Sequence, residues 1–448
     1  MRTFLLAGVL LVLIGAPAIL FLLSASSEIA LEPDLSVLGA KNNLTVRVTN
    51  PHGVRAMRMR LEQGGALASH AVEAPADRWR FWRRRRPAAA FAVQLVADPR
   101  QGFRTGPATL TVEAVSNDFR GRTDTLTRDV QLNLLPPQLA VSREMAYLNQ
   151  GGAGLVTFRV SGYWTEAGVR VGAHEFRSYP VPDSGSEQLR FCLFVLPWDV
   201  PATEKPVVFA RNPAGQQVTA GFPHKVFAKN WRRRQLALTP AFLEKIVPRL
   251  DPGGSGPLLE RFLRINREMR QANNATLAAL RLQTEPRQLW EAPFEQLAST
   301  KVEALFADIR SYIHEGRKVD EQVHLGFDLS KVARAPVLAA NHGRVVFAGE
   351  LGIYGKCVVI DHGYALQSIY AHLSEIAVNA GQRVRRRDPI GRSGETGLAG
   401  GDHLHFSMQI DGVQTNPLEW WDPKWIEEKI SAKLRAPSTA LAASRPLS

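Results

Sequence analysis

Residues 399–409 read Ala-Gly-Gly-Asp-His403-Leu404-His405-Phe406-Ser-Met-Gln, a glycine loop that runs into an alternating polar and apolar segment. Successive side chains of a strand point to opposite faces, so histidines at i and i+2 share one face. One imidazole of such a pair can bind a metal ion while its neighbour faces whatever the metal activates. A His-x-His pair is weak evidence when it stands alone, and its meaning depends on the segments that precede it.

The region around this pair, residues 293–421, is dense in glycine. Short apolar runs at 344–348, 356–361 and 365–373 lie between the glycines. Many short strands joined by glycine turns predict a compact, antiparallel, all-β domain. We therefore expect the histidine pair to lie on one strand of such a domain.

Three segments of this domain carry candidate metal ligands and catalytic groups. They are His324-Leu-Gly-Phe-Asp328, Tyr370-Ala-His372-Leu and His403-Leu-His405. A catalytic zinc site takes three nitrogen or oxygen ligands from the protein and leaves the fourth position to water. His324, Asp328 and one of the paired histidines supply that set. Two histidines are then left over, which suits a general base and a group that stabilises the transition state.

The ordered combination of these segments resembles the LytM/lysostaphin family of zinc peptidoglycan endopeptidases. The resemblance covers about residues 293–421. The accompanying residues that agree are Gly394-x-Thr-Gly397, Ala335-Pro-Val-Leu-Ala-Ala, Gly343-x-Val345, Gly381-Gln-x-Val384 and Asn416-Pro-Leu. The combination is highly specific, although no single piece of it is.

Carried over by position, the resemblance implies that His324, Asp328 and His405 bind one Zn²⁺ ion. It likewise implies that His372 and His403 form the catalytic pair. All five residues are present, which argues against a metal-free relative that only binds and activates.

Two departures from the family pattern concern the walls of the site. Gly401-Asp402 stands where the family usually has Gly-Pro, and Phe306-Ala-Asp-Ile-Arg310 replaces the usual Phe-Gly-x-Arg. Neither departure removes a ligand. Tyr312 is a candidate for the tyrosine that assists at the oxyanion in the family.

The implied function is zinc-dependent hydrolysis of peptide bonds in the stem or cross-link peptides of peptidoglycan, that is, cell-wall remodelling. Family members cut either glycine bridges or cross-links that involve D-alanine and a diamino acid. The alternative is a peptidase-like regulatory protein, with a closed groove, that binds peptidoglycan or activates an amidase. In that case the helical insert described next would cover the groove.

The whole chain of 448 residues is long enough for several domains. We predict a mainly β multidomain protein with six segments: a transmembrane anchor or signal peptide at 1–27, immunoglobulin-like β-sandwiches at 32–135 and 136–229, a helical insert at 238–292, the peptidase domain at 293–421, and a short helix with a disordered tail at 422–448. Period-two alternation predicts the sandwich strands. In the insert, Thr239-Pro240 predicts a capped helix start, and Phe262, Ile265 and Thr276 are expected on one face of a second helix.

The N-terminus predicts a membrane location. Residues 3–27 contain no charged side chain and are long enough to span a hydrocarbon core of ~30 Å. Arg2 on the short N-terminal side predicts that the rest of the chain is exported. We expect an uncleaved membrane anchor, with the catalytic part on the periplasmic or cell-wall side.

The formal net charge of +13 arises partly from arginine clusters interleaved with tryptophan, at residues 78–86 and 231–234. Behind a membrane anchor, anionic lipid headgroups or an acidic wall polymer are the expected partners, and nucleic acid is not. The alternative is that the clusters are solvated loops of charge without a partner. The sandwiches could dock other envelope proteins. Cys192 and Cys357 are far apart and lack Cys-x-x-Cys spacing, so we expect buried thiols.

Overall fold

The structure is a computed structural model that describes residues 15, 24–33, 36–73, 88–118, 120–291 and 293–435. Most of the predicted membrane segment, the arginine cluster at 78–86 and the predicted tail at 436–448 lie outside the described residues. Within the described ranges, no helix has the length and apolar character needed to cross a membrane.

The chain divides into two compact units. The first comprises Met1–Gln138, Ser161–Glu166 and Ala210–Val218, and the second comprises Leu139–Val160, Ala167–Phe209 and Thr219–Ser448. The candidate site lies in the second unit.

The first unit contains two sheets. Its strands are β1 (Glu28–Glu32), β2 (Val37–Leu38), β3 (Lys41–Thr49), β4 (Val54–Gln63), β5 (Ala66–Glu73), β6 (Ala88–Val96), β7 (Gly106–Ser116) and β8 (Thr123–Leu132), with a 3₁₀ turn at Pro99–Gln101. One sheet has the order β1-β3-β6 and the other β2-β8-β7-β4-β5. Val46 of the first sheet and Met59 of the second belong to one buried apolar cluster. The alternating strands are confirmed, whereas the immunoglobulin-like type is not confirmed.

The next block forms one large sheet and a separate strand pair. Its strands are β9 (Gln138–Val141), β10 (Ala146–Asn149), β11 (Ala153–Ser161), β12 (Glu166–Val171), β13 (His174–Pro180), β14 (Leu189–Val195), β15 (Val207–Arg211), β16 (Gln217–Gly221) and β17 (His224–Phe227). Seven of them follow the order β16-β15-β12-β13-β14-β11-β9, and β10 pairs in parallel with β17. The second immunoglobulin-like sandwich is therefore not confirmed.

This sheet packs against the domain that carries the histidine segments. Strand β14 is buried along almost its whole length, as expected of a strand covered on both faces. The rings of Tyr179 and Phe191 lie 5.0 and 4.8 Å from the ring of Tyr364. Arg177 pairs with Asp411 at 2.8 Å. These contacts supply the second layer for the sheet within the same unit.

The predicted helical insert is present. It consists of α1 (Pro240–Leu250), α2 (Leu258–Arg264), a π turn (Ile265–Met269), α3 (Arg270–Ala279) and a 3₁₀ turn (Leu280–Leu282). Thr239 caps α1 by accepting a hydrogen bond from the Phe242 amide at 3.2 Å, as the Thr-Pro pair predicted.

The prediction of which residues form the apolar face of the second helix was partly wrong. Phe262 and Ile265 are buried, but Thr276 is exposed and Leu277 is buried in its place. The π turn explains the difference, because its i→i+5 bonding inserts one residue into the helical period. The buried position expected at Thr276 is therefore taken by Leu277.

The strand pairs of the C-terminal domain within residues 293–421 are antiparallel, as predicted. Its strands are β18 (Arg233–Ala237), β19 (Lys301–Ala304), β20 (Asp308–His314), β21 (Arg317–His324), β22 (Phe327–Ser330), β23 (Pro336–Leu338), β24 (Gly343–Glu350), β25 (Lys356–Asp361), β26 (Leu366–Leu373), β27 (Glu375–Ile376), β28 (Arg383–Val384), β29 (Pro389–Arg392), β30 (Leu404–Ile410) and β31 (Val413–Thr415), with a 3₁₀ turn at Gly352–Tyr354. The main sheet has the order β19-β22-β30-β26-β25-β24-β28, and β31 pairs with β30.

Two smaller sheets flank the main sheet, with the orders β18-β20-β21 and β23-β29-β27. Strand β18 pairs in parallel with β20, although about seventy residues separate them in the chain. The helices and the main sheet also share one buried cluster, which includes Phe262, Leu277, Tyr312 and Val359. The helical insert is thus a layer of the C-terminal domain.

The chain ends in short helical segments: α4 (Pro417–Trp421), α5 (Pro423–Ile426), a π turn (Glu427–Ser431) and α6 (Ala432–Arg435). Asp422 caps α5, and Ile426 and Ile430 are buried, in agreement with the predicted short helix. Cys192 and Cys357 are buried free thiols, also as predicted.

A buried carboxyl group joins α4 to β11 and the residues before it. Glu419 accepts hydrogen bonds from the Asn149 side-chain amide at 2.9 Å and from the Ala153 backbone amide at 2.6 Å. Burial raises the pKa of Glu419 to about 7, and the two hydrogen bonds offset this only in part. The folded state therefore holds the proton to a higher pH than the unfolded chain does.

We predict that this carboxyl destabilises the protein as the pH rises. The pKa of Glu419 rises from about 4.5 in the unfolded chain to about 7 in the folded protein, a difference of about 2.5. Because one pKa unit corresponds to about 1.4 kcal/mol, the free energy of unfolding should fall by about 3 kcal/mol between about pH 4.5 and pH 7. Glu419→Gln should remove this dependence, whereas Glu187→Gln, at an exposed carboxylate, should follow the wild type. Urea unfolding across this pH range, followed by tryptophan fluorescence, measures the effect. Parallel stability profiles for the wild type and Glu419→Gln would contradict the prediction.

Candidate metal centre

Three strands bring the predicted ligands together. His324 is the last residue of β21, Asp328 lies in β22 and His405 lies in β30. Asp328 and His405 are direct cross-strand partners in the antiparallel pair of β22 and β30. The four-residue spacing of His324 and Asp328 is accommodated by a short turn between two strands.

The donor atoms of these residues converge on one point. His324 Nε2 lies 2.9 Å from Asp328 Oδ1 and 2.9 Å from His405 Nδ1, and His405 Nδ1 lies 3.0 Å from Asp328 Oδ1. All three residues are buried, and together they form a group that could hold a metal ion. Two imidazole nitrogens at this distance must share a proton or a cation. Two nitrogens and a carboxylate oxygen are also a donor set typical of catalytic zinc sites.

Hydrogen bonds outside this group orient the donor atoms. His324 Nδ1 donates a hydrogen bond to the Leu305 carbonyl at 3.0 Å. The lone pair of Nε2 is therefore the one that can coordinate a metal ion. Arg310 donates to Asp328 Oδ2 at 2.7 Å, which leaves Oδ1 facing the histidines. Such partners typically fix the tautomer and rotamer of metal ligands. Arg310 belongs to the segment that departs from the family spacing, so the departure keeps a guanidinium at the site.

Electrostatics suit the binding of a cation. Burial raises the pKa of Asp328, but His324, His403 and His405 outweigh it, so the pKa lies well below its usual range and the carboxylate is ionised. Burial lowers the pKa of His324, and lowers that of His405 to about 4. Both imidazoles are therefore neutral near pH 7, with lone pairs available for coordination.

The predicted catalytic pair lies beside this group. His372 Nδ1 donates to the Thr396 carbonyl and His403 Nδ1 donates to the Gly401 carbonyl, both at 2.8 Å. Nε2 of His372 remains for chemistry, whereas Nε2 of His403 lies 3.5 Å from Asp328 Oδ1. The two rings lie 4.9 Å apart, and the ring of His372 lies 5.8 Å from that of His405. His314 lies outside the group, and its Nδ1 donates to the Leu238 carbonyl.

The backbone at His372 has an uncommon conformation. Its φ angle is 60°, in the left-handed region that side-chain-bearing residues rarely adopt. Strand β26 is irregular at this position, because the register with β25 shifts between Lys356 and Val358. A bulge of this kind re-aims a side chain. Strained residues are concentrated at functional sites, so the conformation agrees with a catalytic role.

Sequence reasoning missed two residues that shape the site. A Cβ atom at Gly326 would lie 2.6 Å from His405 Cε1, so a side chain there would displace the imidazole. The ring of Tyr354 lies 5.7 Å from that of His405. Gly326 had a signal in the sequence, since it stands between two candidate ligands. Tyr354 had none, because it reaches the site through the fold.

A cavity of about 380 Å³ contains the site. The five predicted residues line it together with residues of the segments that precede the histidine-bearing region. These are Arg234–Leu238 on and after β18, Phe242 of α1, and Arg270 and Asn274 of α3. Tyr312 also lines the cavity, and its ring packs 5.5 Å from that of Phe262. The wall is therefore built jointly by the helices and the sheets.

We predict that Gly326→Ala weakens metal binding by about 10- to 100-fold, the range seen when residues that support metal ligands are changed. The physical reason is the clash of the new methyl group with His405. Metal content after purification, and competition with a chelator of known affinity, measure the change. Gly253→Ala is the control, because its Cβ would meet nothing within 4 Å. Equal metal affinity in the two variants would contradict the clash.

Comparison with known proteins gives this segment a family. Residues 322–417 match the model of Peptidase family M23. An uncharacterized metalloprotease of Haemophilus influenzae is 41% identical over 96 residues, which are 21% of this chain and 20% of that protein. The DD-carboxypeptidase/endopeptidase Mpg of Neisseria meningitidis is 37% identical over 97 residues, 22% of each chain.

The peptidoglycan DD-endopeptidase ShyA of Vibrio cholerae is 38% identical over 96 residues, 21% of this chain and 22% of that protein. The aligned part of the chain thus spans about a fifth of the length of these curated relatives. The family match at residues 322–417 contains all five of the predicted histidine and aspartate side chains.

Proposed function

We propose that the M23 domain at residues 322–417 makes this chain a zinc-dependent endopeptidase that hydrolyses peptide bonds in the stem or cross-link peptides of peptidoglycan. The observation that carries the proposal is the convergence of His324, Asp328 and His405 within 3.0 Å. His372 and His403 line the same cavity. The name of one aligned relative, the peptidoglycan DD-endopeptidase ShyA, supports peptidoglycan as the substrate.

We assign one Zn²⁺ ion to His324 Nε2, Asp328 Oδ1 and His405 Nδ1. When bound, zinc supplies a Lewis acid that polarises the scissile carbonyl and makes water acidic enough to give hydroxide near neutral pH. The ionised carboxylate and two neutral imidazoles are the protonation states that a divalent cation requires.

The chain's own residues supply the proton transfers. Burial lowers the pKa of His372 well below its usual value, so the ring is neutral, and because its Nδ1 donates to a carbonyl its Nε2 carries a lone pair. Burial also lowers the pKa of His403, but the hydrogen bond and charge of Asp328 outweigh it and raise this pKa above its usual value. One ring takes the proton of the attacking water, and the other faces the oxyanion of the tetrahedral intermediate. The accepted proton is then delivered to the leaving amine. The carbonyls of Thr396 and Gly401 hold the two rings in the orientation that these steps need.

The regulatory alternative rests on the same cavity. Residues of β18, α1 and α3 line it, so the helical insert forms part of its wall. A binding or amidase-activating protein would need a groove that these elements keep closed. The presence of all five chemically active side chains favours the enzyme.

The location of the chain also belongs to this proposal. The uncharged run at residues 3–27 supports an anchored protein whose catalytic domain faces the periplasm or the cell wall. Peptidoglycan lies on that side of the membrane.

We predict that His405→Ala loses both zinc and activity, because a ligand is removed. His372→Ala should keep zinc and lose about 10²- to 10³-fold in kcat, the usual cost of removing one group that stabilises a transition state. Metal analysis of the purified full chain, together with mass spectrometry of muropeptides released from purified peptidoglycan, measures both effects. His70→Ala, in the first unit, is the control and should match the wild type.

Two results would overturn the proposal. A His405→Ala protein with full zinc content would remove the ligand assignment. A zinc-loaded wild type that binds peptidoglycan but releases no muropeptide would instead favour the regulatory alternative.

A further inference from the structure

Helix α3 has a polar face, and two of its residues, Arg270 and Asn274, line the cavity. Arg270, Asn273 and Asn274 stand at i, i+3 and i+4, so they lie on the same side of the helix. Asn273 accepts a hydrogen bond from the Ile353 amide at 2.8 Å, and Asn274 accepts one from the Tyr354 hydroxyl at 2.9 Å. These bonds fix the face of α3 against the turn that contacts His405. The helix lies outside the segment that matches the M23 family.

The guanidinium of Arg270 is held in place. It donates through Nε to the Asn266 carbonyl at 3.1 Å and through Nη2 to Asn266 Oδ1 at 2.7 Å. Asn266 is fully buried and in turn donates to Asp320 at 2.8 Å. The π turn that contains Asn266 precedes Arg270 directly. Arg270 is therefore oriented by a buried chain of hydrogen bonds.

The charge of Arg270 is not neutralised by the protein. Among the residues that the structure describes, no carboxylate forms an ion pair with it, whereas Arg310 in the same cavity is paired with Asp328 at 2.7 Å. Arg234, the third arginine of the cavity, donates to the Glu303 carbonyl at 2.8 Å. A guanidinium that is held in one orientation and has N–H groups still available can bind a planar anionic group such as a carboxylate.

We propose that Arg270 is a specificity-determining residue that binds a free carboxylate of the substrate peptide. This inference rests on the proposed function, because it takes the substrate to be a peptide cleaved at the metal centre. Tyr354 lies between α3 and His405, so the carboxylate would lie about one side chain away from the reacting bond. Its source is either the C-terminus of a stem peptide or the side carboxylate of a diamino acid.

The test compares cross-linked muropeptides with free carboxylates against two amidated forms. One form is amidated at the C-terminus only, and the other at the diamino acid only. The wild type should cleave one amidated form with kcat/KM about 10- to 100-fold lower than the free peptide, the range expected for a hydrogen-bonded charge. The form that is affected identifies the source of the carboxylate.

In Arg270→Gln the preference for the peptide with free carboxylates should disappear because KM for that peptide rises. The zinc content should stay at the wild-type level. Arg270→Lys keeps the charge without the fork and should restore part of the preference. Arg264→Gln, at an exposed position of the same helical segment, is the control and should keep the full preference. An Arg270→Gln protein that retains the preference, or that loses activity equally on all three peptides, would overturn the inference.

Binding measurements separate this inference from the proposed function. If the zinc-loaded wild type cleaves none of the peptides, the proposed function fails. Calorimetric titration of the same uncleaved peptides then decides the role of Arg270. Tighter binding of the free carboxylate in the wild type, lost in Arg270→Gln, supports it. Equal affinity of the two proteins for the free and amidated peptides refutes it.

Discussion

The metal centre depends on the register of two antiparallel strands. Asp328 and His405 are placed opposite each other by the pairing of β22 with β30, and His324 joins them across a short turn. A shift of one residue would turn every side chain of a strand to the other face. The backbone hydrogen bonds of the sheet therefore set the distances between the donor atoms, and Gly326 leaves the space that the His405 ring occupies.

Much of this site could be predicted from the sequence, because its residues fall in three short motifs with characteristic spacing. The sequence also predicted the antiparallel domain, the capped helix α1 and the buried cysteines. What it could not predict depends on contacts between distant segments. Tyr354 and the Leu305 carbonyl carry no motif, and they reach the site through the turn at Gly352–Tyr354 and the loop before β20. The burial of Leu277 depends on a π turn, which inserts one extra residue into the helix. The spacing of apolar residues in the sequence does not reveal this insertion.

The helices are a structural part of the C-terminal domain rather than a separate module. Their apolar residues share a cluster with the main sheet, and α3 hydrogen-bonds to the turn beside His405. The segment that matches the family supplies the chemically active side chains, whereas the preceding segments supply much of the cavity wall. The chemistry and the shape of the cavity thus come from different parts of the chain.

Because β18 pairs in parallel with β20, the folded C-terminal domain is longer than the segment at residues 322–417 that matches the family. A fragment that begins at residue 293 would lose β18 and leave β20 as an open strand edge. A fragment that begins at residue 293 or at residue 322 would also expose the apolar residues that α1 to α3 bury. Open edges and exposed apolar clusters promote association between chains. A fragment meant to contain the intact C-terminal domain, whether made by cloning or by limited proteolysis, should therefore retain the chain from before residue 233 onward.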